Sequence, residues 1–183
     1  MSDNPYISVR EMKIIDIELL ADYWFNSDSE FFKSMGADKD KLPKRNRLEE
    51  MLTEQINLPI KDKSSYALIW ELDGKQIGHS NANNIIYGNE ATMHLHLWKP
   101  VSRKRGIGTK LVKKSFLFYF ENLKINKLIC EPYALNPAPN KTLEKVGFEF
   151  IKKYRTIPGT LNFEQEVNRW ELTKENYALQ QRV

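Results

Sequence analysis

The sequence RKRGIGTKL, from Arg103 to Leu111, forms a basic loop with two glycines that runs straight into an amphipathic helix. Glycine lets the backbone approach a ligand closely, and a helix N-terminus contributes roughly half a unit of positive charge. Six Lys or Arg side chains fall between positions 103 and 114, with no acidic residue among them. The stretch therefore favours an anion-binding loop with phosphate as its guest, although a solvated helix face would carry the same charges.

Two common phosphate-binding motifs do not fit this loop. The nucleotide-binding loop requires G-x-x-x-x-G-K-[ST], and the dinucleotide fingerprint requires G-x-G-x-x-G. Here only Gly106 and Gly108 occur, and their spacing matches neither pattern. Kinases, GTPases and NAD-dependent enzymes are therefore disfavoured.

Composition limits the remaining classes. The chain has 183 residues, 41% of them hydrophobic, which suits one α/β domain over residues 1–183. No apolar run approaches the roughly 20 residues of a membrane span, and the first five residues do not resemble a signal peptide. The single cysteine, Cys130, falls in a buried-strand pattern and agrees with a reducing, cytoplasmic compartment. The net charge of +4 is mild, so a small anionic ligand is favoured and nucleic acid and membrane partners are not.

Hydrophobic periodicity predicts the order of the elements. A first strand is expected over residues 7–17, helices near 19–24 and 44–56, and a partly ordered loop over 26–43. A hairpin through Asp73-Gly74 joins strands at 66–72 and 76–86, and a further strand follows at 91–98. A helix over 107–123, a strand at 127–131, a short helix at 141–145 and strands near 148–151 and 168–172 complete the chain.

The strand at 91–98 carries the side chains of most chemical interest. With a period of two, His94, His96 and Trp98 share one face, and Met93, Leu95 and Leu97 share the other. Two imidazoles therefore project in the same direction.

Two motifs in this order resemble those of the GNAT superfamily of N-acetyltransferases. RKRGIG, at 103–108, is similar to the family's (Q/R)-x-x-G-x-(G/A) pyrophosphate loop, and LEKVGF, at 143–148, is similar to its late helix-to-strand segment. The resemblance implies an α/β (α+β) fold with a mixed, mostly antiparallel twisted sheet of six to seven strands and about four helices. It also implies a V-shaped splay between the strands at 91–98 and 127–132.

The resemblance further implies acetyl-CoA as cosubstrate, with no metal. The expected coenzyme contacts are Leu97, Trp98, Arg103, Lys104, Arg105, Gly106, Ile107, Gly108, Thr109, Asn136, Asn140 and Lys141. Asn140 is equally suited to cap the helix that follows it. The oxyanion would meet a backbone N–H near Leu97 or Trp98, where the family usually has a β-bulge.

Acyl transfer to an amine requires a base that titrates near neutrality, and histidine meets that requirement without perturbation. His94, placed like the histidine of siderophore-type members, is the first candidate and His96 the second. The alternative is that one or both histidines are hydrogen-bonded sheet residues without a catalytic role.

The general acid has a different candidate. The family's usual acid, a tyrosine, is replaced by Leu143, and the serine of ribosomal-protein acetyltransferases is replaced by Pro139, which leaves Tyr133 as the candidate. Because Tyr133 also replaces the aspartate of the siderophore-type segment, a hydroxylamine substrate is disfavoured. Zinc on His79, His94 and His96 is disfavoured because no other ligand has suitable spacing.

The acceptor is the least determined part of the interpretation. Its pocket is expected to draw on the first two helices, the loop 26–43 and the late segment 156–168. Tyr23, Trp24, Phe31, Asn81 and Asn83 are candidate substrate contacts, with core packing as the alternative for the aromatic residues. We expect acetyl transfer to the primary amine of a small molecule by direct attack in a ternary complex. Acetylation of a protein N-terminus or lysine, and a non-catalytic acyl-CoA-binding module, are the alternatives. A homodimer is compatible with the resemblance.

Overall fold

A single seven-stranded sheet forms the centre of the computed structural model, which describes residues 5–98 and 106–181. Its strand order is β1-β2-β3-β4-β5-β7-β6, and only the β4–β5 pair is parallel. The strands are β1 (Ile7–Glu11), β2 (Ser65–Leu72), β3 (Lys75–Ile86), β4 (Glu90–Leu97), β5 (Lys127–Cys130), β6 (Glu149–Thr156) and β7 (Gln165–Thr173). The mixed, mostly antiparallel sheet predicted from the sequence is confirmed.

Helices pack on both faces of the sheet. They are α1 (Ile17–Asn26), α2 (Ser29–Ser34), α3 (Arg45–Asn57), α4 (Ile107–Asn122), α5 (Pro137–Lys145) and α6 (Lys174–Gln180). The larger core joins one face of the sheet to α4, α5 and α6, and we call this side the α4 face. A smaller core joins the other face to α1 and α3, and we call it the α1 face.

The parallel pairing of β4 with β5 is short. It covers three residue pairs, from Glu90 opposite Lys127 to Thr92 opposite Ile129. Beyond Thr92, β4 continues beside β3 to Leu97, whereas Cys130 pairs with Trp170 of β7. The two strands therefore diverge and leave the V-shaped gap that the resemblance implies.

Four elements differ from the prediction. The first strand ends at Glu11, and a 3-10 turn follows at Ile14–Asp16, because the buried Asp16 carboxylate accepts hydrogen bonds from the Arg10 guanidinium and the Lys13 N–H. The 26–43 region contains α2 and a 3-10 turn at Lys39–Lys41. Helix α5 begins at Pro137, four residues early, and the C-terminal α6 was not predicted.

Asn140 links the chain that follows β5 to the neighbouring strand β7. Its amide nitrogen donates to the carbonyl oxygens of Tyr133 and Asn136, at 3.1 and 2.7 Å. Its amide oxygen accepts from Asn168 Nδ2 and Trp170 Nε1, both at 2.9 Å. Both donors and both lone pairs are used, so Asn140 joins the segment between β5 and α5 to β7.

Replacing Asn140 tests this joint. Asn140→Leu keeps the approximate volume but leaves several polar partners unsatisfied, so the free energy of unfolding should fall by about 3 kcal/mol. Thr142→Val, two residues further along α5, removes a hydroxyl that bonds only to the Ala138 carbonyl of the same helix, and should change it by less than about 0.5 kcal/mol. Urea unfolding of both variants measures the difference, and equal stabilities would contradict the assignment.

Candidate active site

A cleft of about 670 Å³ occupies the gap between β4 and β5. Because side chains alternate along a strand, the cleft has two halves. Met93, Leu95, Leu97 and Cys130 face the helices α4 and α5, and this side is called the coenzyme half below. His94, His96 and Glu131 face α1 and α2, and this side is called the acceptor half.

The N-terminus of α4 opens onto the coenzyme half. Gly106 immediately precedes the helix and has a φ angle of +70°, a conformation that favours glycine. The first hydrogen bond of the helix runs from Lys110 N–H to Gly106 C=O. The N–H groups of residues 107–109 therefore precede the first helical bond and are available to an anion. Gly106, Gly108 and Thr109 line the cleft, whereas Ile107 is buried in the core. Arg103, Lys104 and Arg105 lie outside the described residues.

Helix α5 forms the opposite wall of the coenzyme half. The Asn136 side chain caps it by accepting the Ala138 N–H at 3.3 Å, so Asn136 and not Asn140 is the capping residue. Asn136 and Lys141, two of the predicted coenzyme contacts, line the cleft. Asn140 does not line it, because its amide is saturated within the protein.

The backbone of β4 offers one N–H to the gap at the predicted oxyanion position. Trp98 N–H donates to Ile77 C=O at 2.9 Å, so it points towards β3. Hydrogen-bonding direction alternates along an antiparallel strand, which turns the Leu97 N–H towards the gap. The expected bulge is not present here: pairing with β3 is regular from Thr92 to Leu97, and the register shift lies between Asn83 and Ile86. Of the two predicted residues, Leu97 alone is in position.

His94 lies in the cleft with its ring partly exposed. Its imidazole makes no hydrogen bond to any residue within 5–98 or 106–181. Burial lowers the pKa of His94 below its usual 6.5, and the nearby Glu131 carboxylate opposes that shift. At neutral pH the ring is therefore uncharged and able to accept a proton.

His96 belongs instead to an aromatic cluster on the α1 face. Its Nδ1 lies 3.1 Å from the Tyr23 hydroxyl, and its ring stacks on that of His79 with centroids 4.6 Å apart. Trp24 packs edge-on against the same ring at 4.9 Å. His96 lines the cleft, but its ring has more neighbours than that of His94.

The cluster keeps His79 neutral. Trp98 Nε1 donates to His79 Nδ1 at 2.7 Å, which requires an unprotonated nitrogen there. Burial lowers the pKa of His79 to about 3, and burial together with the other two histidines holds the pKa of His96 well below 6.5. These two imidazoles therefore stay uncharged in the folded protein at neutral pH.

Tyr133 lines the cleft just beyond Glu131. It forms an isolated bridge with Val167 of β7, and its ring packs edge-on against Phe163 at 6.0 Å. The position is compatible with the predicted role of a proton donor.

The predicted substrate residues divide into two groups. Tyr23 and Phe31 line the acceptor half. Trp24 lies beneath His96, and the amides of Asn81 and Asn83 bond to each other at 3.1 Å; none of these three lines the cleft.

One wall of the cleft is built from α2 and the loop before β7, which fall within the segments 26–43 and 156–168 that the sequence predicts for the substrate pocket. Gly36 C=O accepts from both Asn162 Nδ2 and Gln165 Nε2, at 2.8 and 2.7 Å, which ties the end of α2 to β7. Met35, Pro158, Asn162 and Gln165 line the cleft as a result. The sequence predicts both segments at the pocket but neither these four residues nor the contacts of Gly36, because residues about 130 positions apart share no periodic pattern.

Residues 7–149, more than half of the chain, match the acetyltransferase (GNAT) domain family. The chain belongs to this family. The predicted family, fold class and class of enzyme, an N-acetyltransferase, are confirmed.

Solved structures with the same fold cover nearly the whole chain. The spermidine N-acetyltransferase from Vibrio cholerae, in complex with CoA and spermine, has a TM-score of 0.76 and 18% identity over 94% of this chain and 98% of its own. RimL, a ribosomal L7/L12 α-N-protein acetyltransferase in complex with CoA, has a TM-score of 0.74 and 12% identity over 91% and 93%. At these identities the likeness establishes the fold alone.

No curated protein matches the sequence significantly. No helix in the described part of the chain is long and apolar enough to cross a bilayer. Within residues 5–98 and 106–181, no group of three His, Cys, Asp or Glu side chains is placed to hold a metal ion.

The neutral state of His79 predicts a pH-dependent stability. Its folded pKa lies below the unfolded value of about 6.5, so its contribution is complete above pH 6.5 and is lost as the pH falls towards 3. His79→Asn keeps an acceptor for Trp98 but cannot titrate there. The difference in unfolding free energy between wild type and variant should shrink by about 1.4 kcal/mol per pH unit below 6.5. Chemical unfolding from pH 7.5 to 4 measures it, and a constant difference would contradict the assignment.

Proposed function

We propose that this protein transfers the acetyl group of acetyl-CoA to the primary amine of a small molecule, by direct attack in a ternary complex. The observation that carries the proposal is the gap between β4 and β5, with the open N-terminus of α4 on one side and His94 on the other. The V. cholerae enzyme of the same fold, in complex with CoA and spermine, supports an amine acceptor.

In this proposal the coenzyme half holds acetyl-CoA, which supplies the acetyl group as a thioester. The N–H groups of residues 107–109 bind the pyrophosphate, with Arg103, Lys104 and Arg105 expected to add charge. Asn136 and Lys141 bind from the α5 side. The V-shaped gap admits the extended pantetheine arm between Leu97 and Cys130.

The residues of the acceptor half handle protons. An ammonium group loses one proton to become nucleophilic, and the neutral His94 accepts it and passes it to solvent. The amine nitrogen then bonds to the carbonyl carbon, the Leu97 N–H stabilises the oxyanion, and the carbon–sulfur bond breaks. The second amine proton leaves through His94, and the thiolate is protonated by Tyr133 or by solvent. The products are an amide and a free thiol.

A protein acceptor is the second candidate. The RimL structure, named for acetylation of a protein N-terminus, has a similar TM-score of 0.74. Parallel assays of free amines and of short peptides separate the two candidates, because a peptide-specific enzyme should leave small amines unmodified.

Coenzyme binding is the first test. Calorimetric titration should detect acetyl-CoA binding and none of ATP or NAD. Gly108 lines the cleft in the first turn of α4. Gly108→Val should therefore weaken acetyl-CoA binding by about ten-fold or more, a loss of about 1.4 kcal/mol.

Leu117→Val is the matched control for that variant. It places the same side chain in α4 at a residue that is 55% exposed. It should leave the Kd of acetyl-CoA unchanged. Equal loss in both variants would mean that Gly108 acts only through helix stability.

The role of His94 is tested by its pH profile. His94→Gln should lower kcat/KM by about 10²–10⁴-fold. Because the pKa of His94 is lowered, the activity of the wild type should decline on the acid side at a pH below 6.5. This decline is the acid limb of the pH profile, and the variant should lose it. His96→Gln should reduce stability and retain the acid limb. If His94→Gln kept the acid limb, the base would have to be another residue.

A further inference from the structure

The acceptor half of the cleft carries little charge. Its walls include Tyr23, Phe31 and Met35 from α1 and α2, and Pro158 from the loop before β7. Glu131 is the single Asp or Glu among the described residues that line the cleft. Residues 99–105, outside the described ranges, contain no Asp or Glu in their sequence. Within residues 5–98 and 106–181, the cleft therefore offers one carboxylate to a ligand.

That carboxylate is held in a fixed position. Glu131 Oε1 accepts from the Tyr154 hydroxyl at 2.5 Å and from Arg169 Nη1 at 2.9 Å. The Glu131 side chain is 12% exposed, and its second oxygen has no hydrogen-bond donor among the described residues. One oxygen is thus anchored while the other remains available to a donor in the cleft.

The surrounding ion pairs leave one negative charge uncompensated. Glu131 and Glu171 share Arg169, and Glu171 and Glu90 share Lys127. The network therefore contains three carboxylates and two cations. Of the three carboxylates, Glu131 alone lines the cleft, so it is the one that an ammonium group there could pair with.

The remainder of the acceptor half combines aromatic and thioether groups with the uncharged polar side chains of Ser34, Asn162 and Gln165. The rings of Tyr23 and Phe31 meet edge-on with centroids 6.0 Å apart, and the Tyr23 hydroxyl contacts Met35 Sδ at 3.6 Å. Aromatic and thioether groups of this kind pack favourably against rings and alkyl chains. They offer little to a second charged group.

We propose that the acceptor site selects a primary monoamine with an aromatic or apolar body, and that Glu131 binds its ammonium group. This inference rests on the proposed function, because it concerns the second substrate of that reaction. A polyamine carries further ammonium groups, and any of them held inside the cleft would lack a paired carboxylate, which is strongly disfavoured. The site therefore differs from one built for spermidine.

Equilibrium binding tests the selectivity without depending on turnover. Phenethylamine, tryptamine and spermidine are titrated separately into the wild-type protein in the presence of CoA, which has no acetyl group to transfer. The two arylalkylamines should bind at least about ten-fold more tightly than spermidine. 2-Phenylethanol, which has the same body as phenethylamine without its charge, should bind more weakly than phenethylamine.

Two variants separate the role of Glu131 from that of its ion pairs. Glu131→Gln should raise the Kd of phenethylamine by about 10–100-fold, the effect of losing a charge-assisted hydrogen bond, and leave that of 2-phenylethanol unchanged. Glu171→Gln removes another partner of Arg169 but does not line the cleft, so it should change both constants by less than about three-fold. Circular dichroism confirms that each variant is folded.

The outcomes are distinct. Spermidine binding as tight as that of the arylalkylamines, no detectable amine binding, or equal losses in the two variants would overturn the inference. Monoamine selectivity that depends on Glu131 supports it. If that selectivity is found but acetyl-CoA neither binds nor transfers its acetyl group, the proposed function alone has failed.

Discussion

The parallel pairing of β4 with β5 ends after three residue pairs, and the whole cleft depends on that end. Two competing sets of hydrogen bonds explain the divergence. Trp98 N–H keeps β4 beside β3, while the chain after β5 continues beside β7 through Asn168 N–H to Pro132 C=O and Ala134 N–H to Glu166 C=O. Asn140 reinforces the second set. Each strand makes its backbone hydrogen bonds on the side away from the gap, so the N–H and C=O groups that face the gap are left for a ligand.

The divergence also separates two kinds of chemistry. Because the side chains of a strand alternate, a single opened strand pair presents an apolar, helix-lined surface on one face and histidines with a carboxylate on the other. The open N-terminus of α4 lies on the first face, and the wall of α2 and the β6–β7 loop on the second. A ligand that passes through the gap therefore meets anion-binding groups before it meets proton acceptors.

The sequence predicts the local features of this arrangement well. The alternation of His94 and His96, the hairpin at Asp73-Gly74 and the glycines at the start of α4 depend on neighbouring residues, and each is found where predicted. Contacts between distant positions are different. The saturation of Asn140 by Trp170 and Asn168, and the joint between Gly36 and Gln165, follow from tertiary packing, which local patterns do not encode. The early start of α5 follows from the Asn136 cap and the tolerance of a first helical turn for Pro137.

The three histidines show why residue type alone does not assign a catalytic role. All three lie on one face of the sheet, in paired positions of β3 and β4. They differ in the side chains that surround them. His79 accepts from Trp98 and stacks on His96, so protonating either ring would place a cation among buried aromatic groups and beside a second imidazole. His94 lies at the edge of the cluster, with no such bond and with Glu131 nearby to favour the imidazolium form. A ring that must gain and lose a proton in each cycle needs such a position, where neither charge state is strongly opposed.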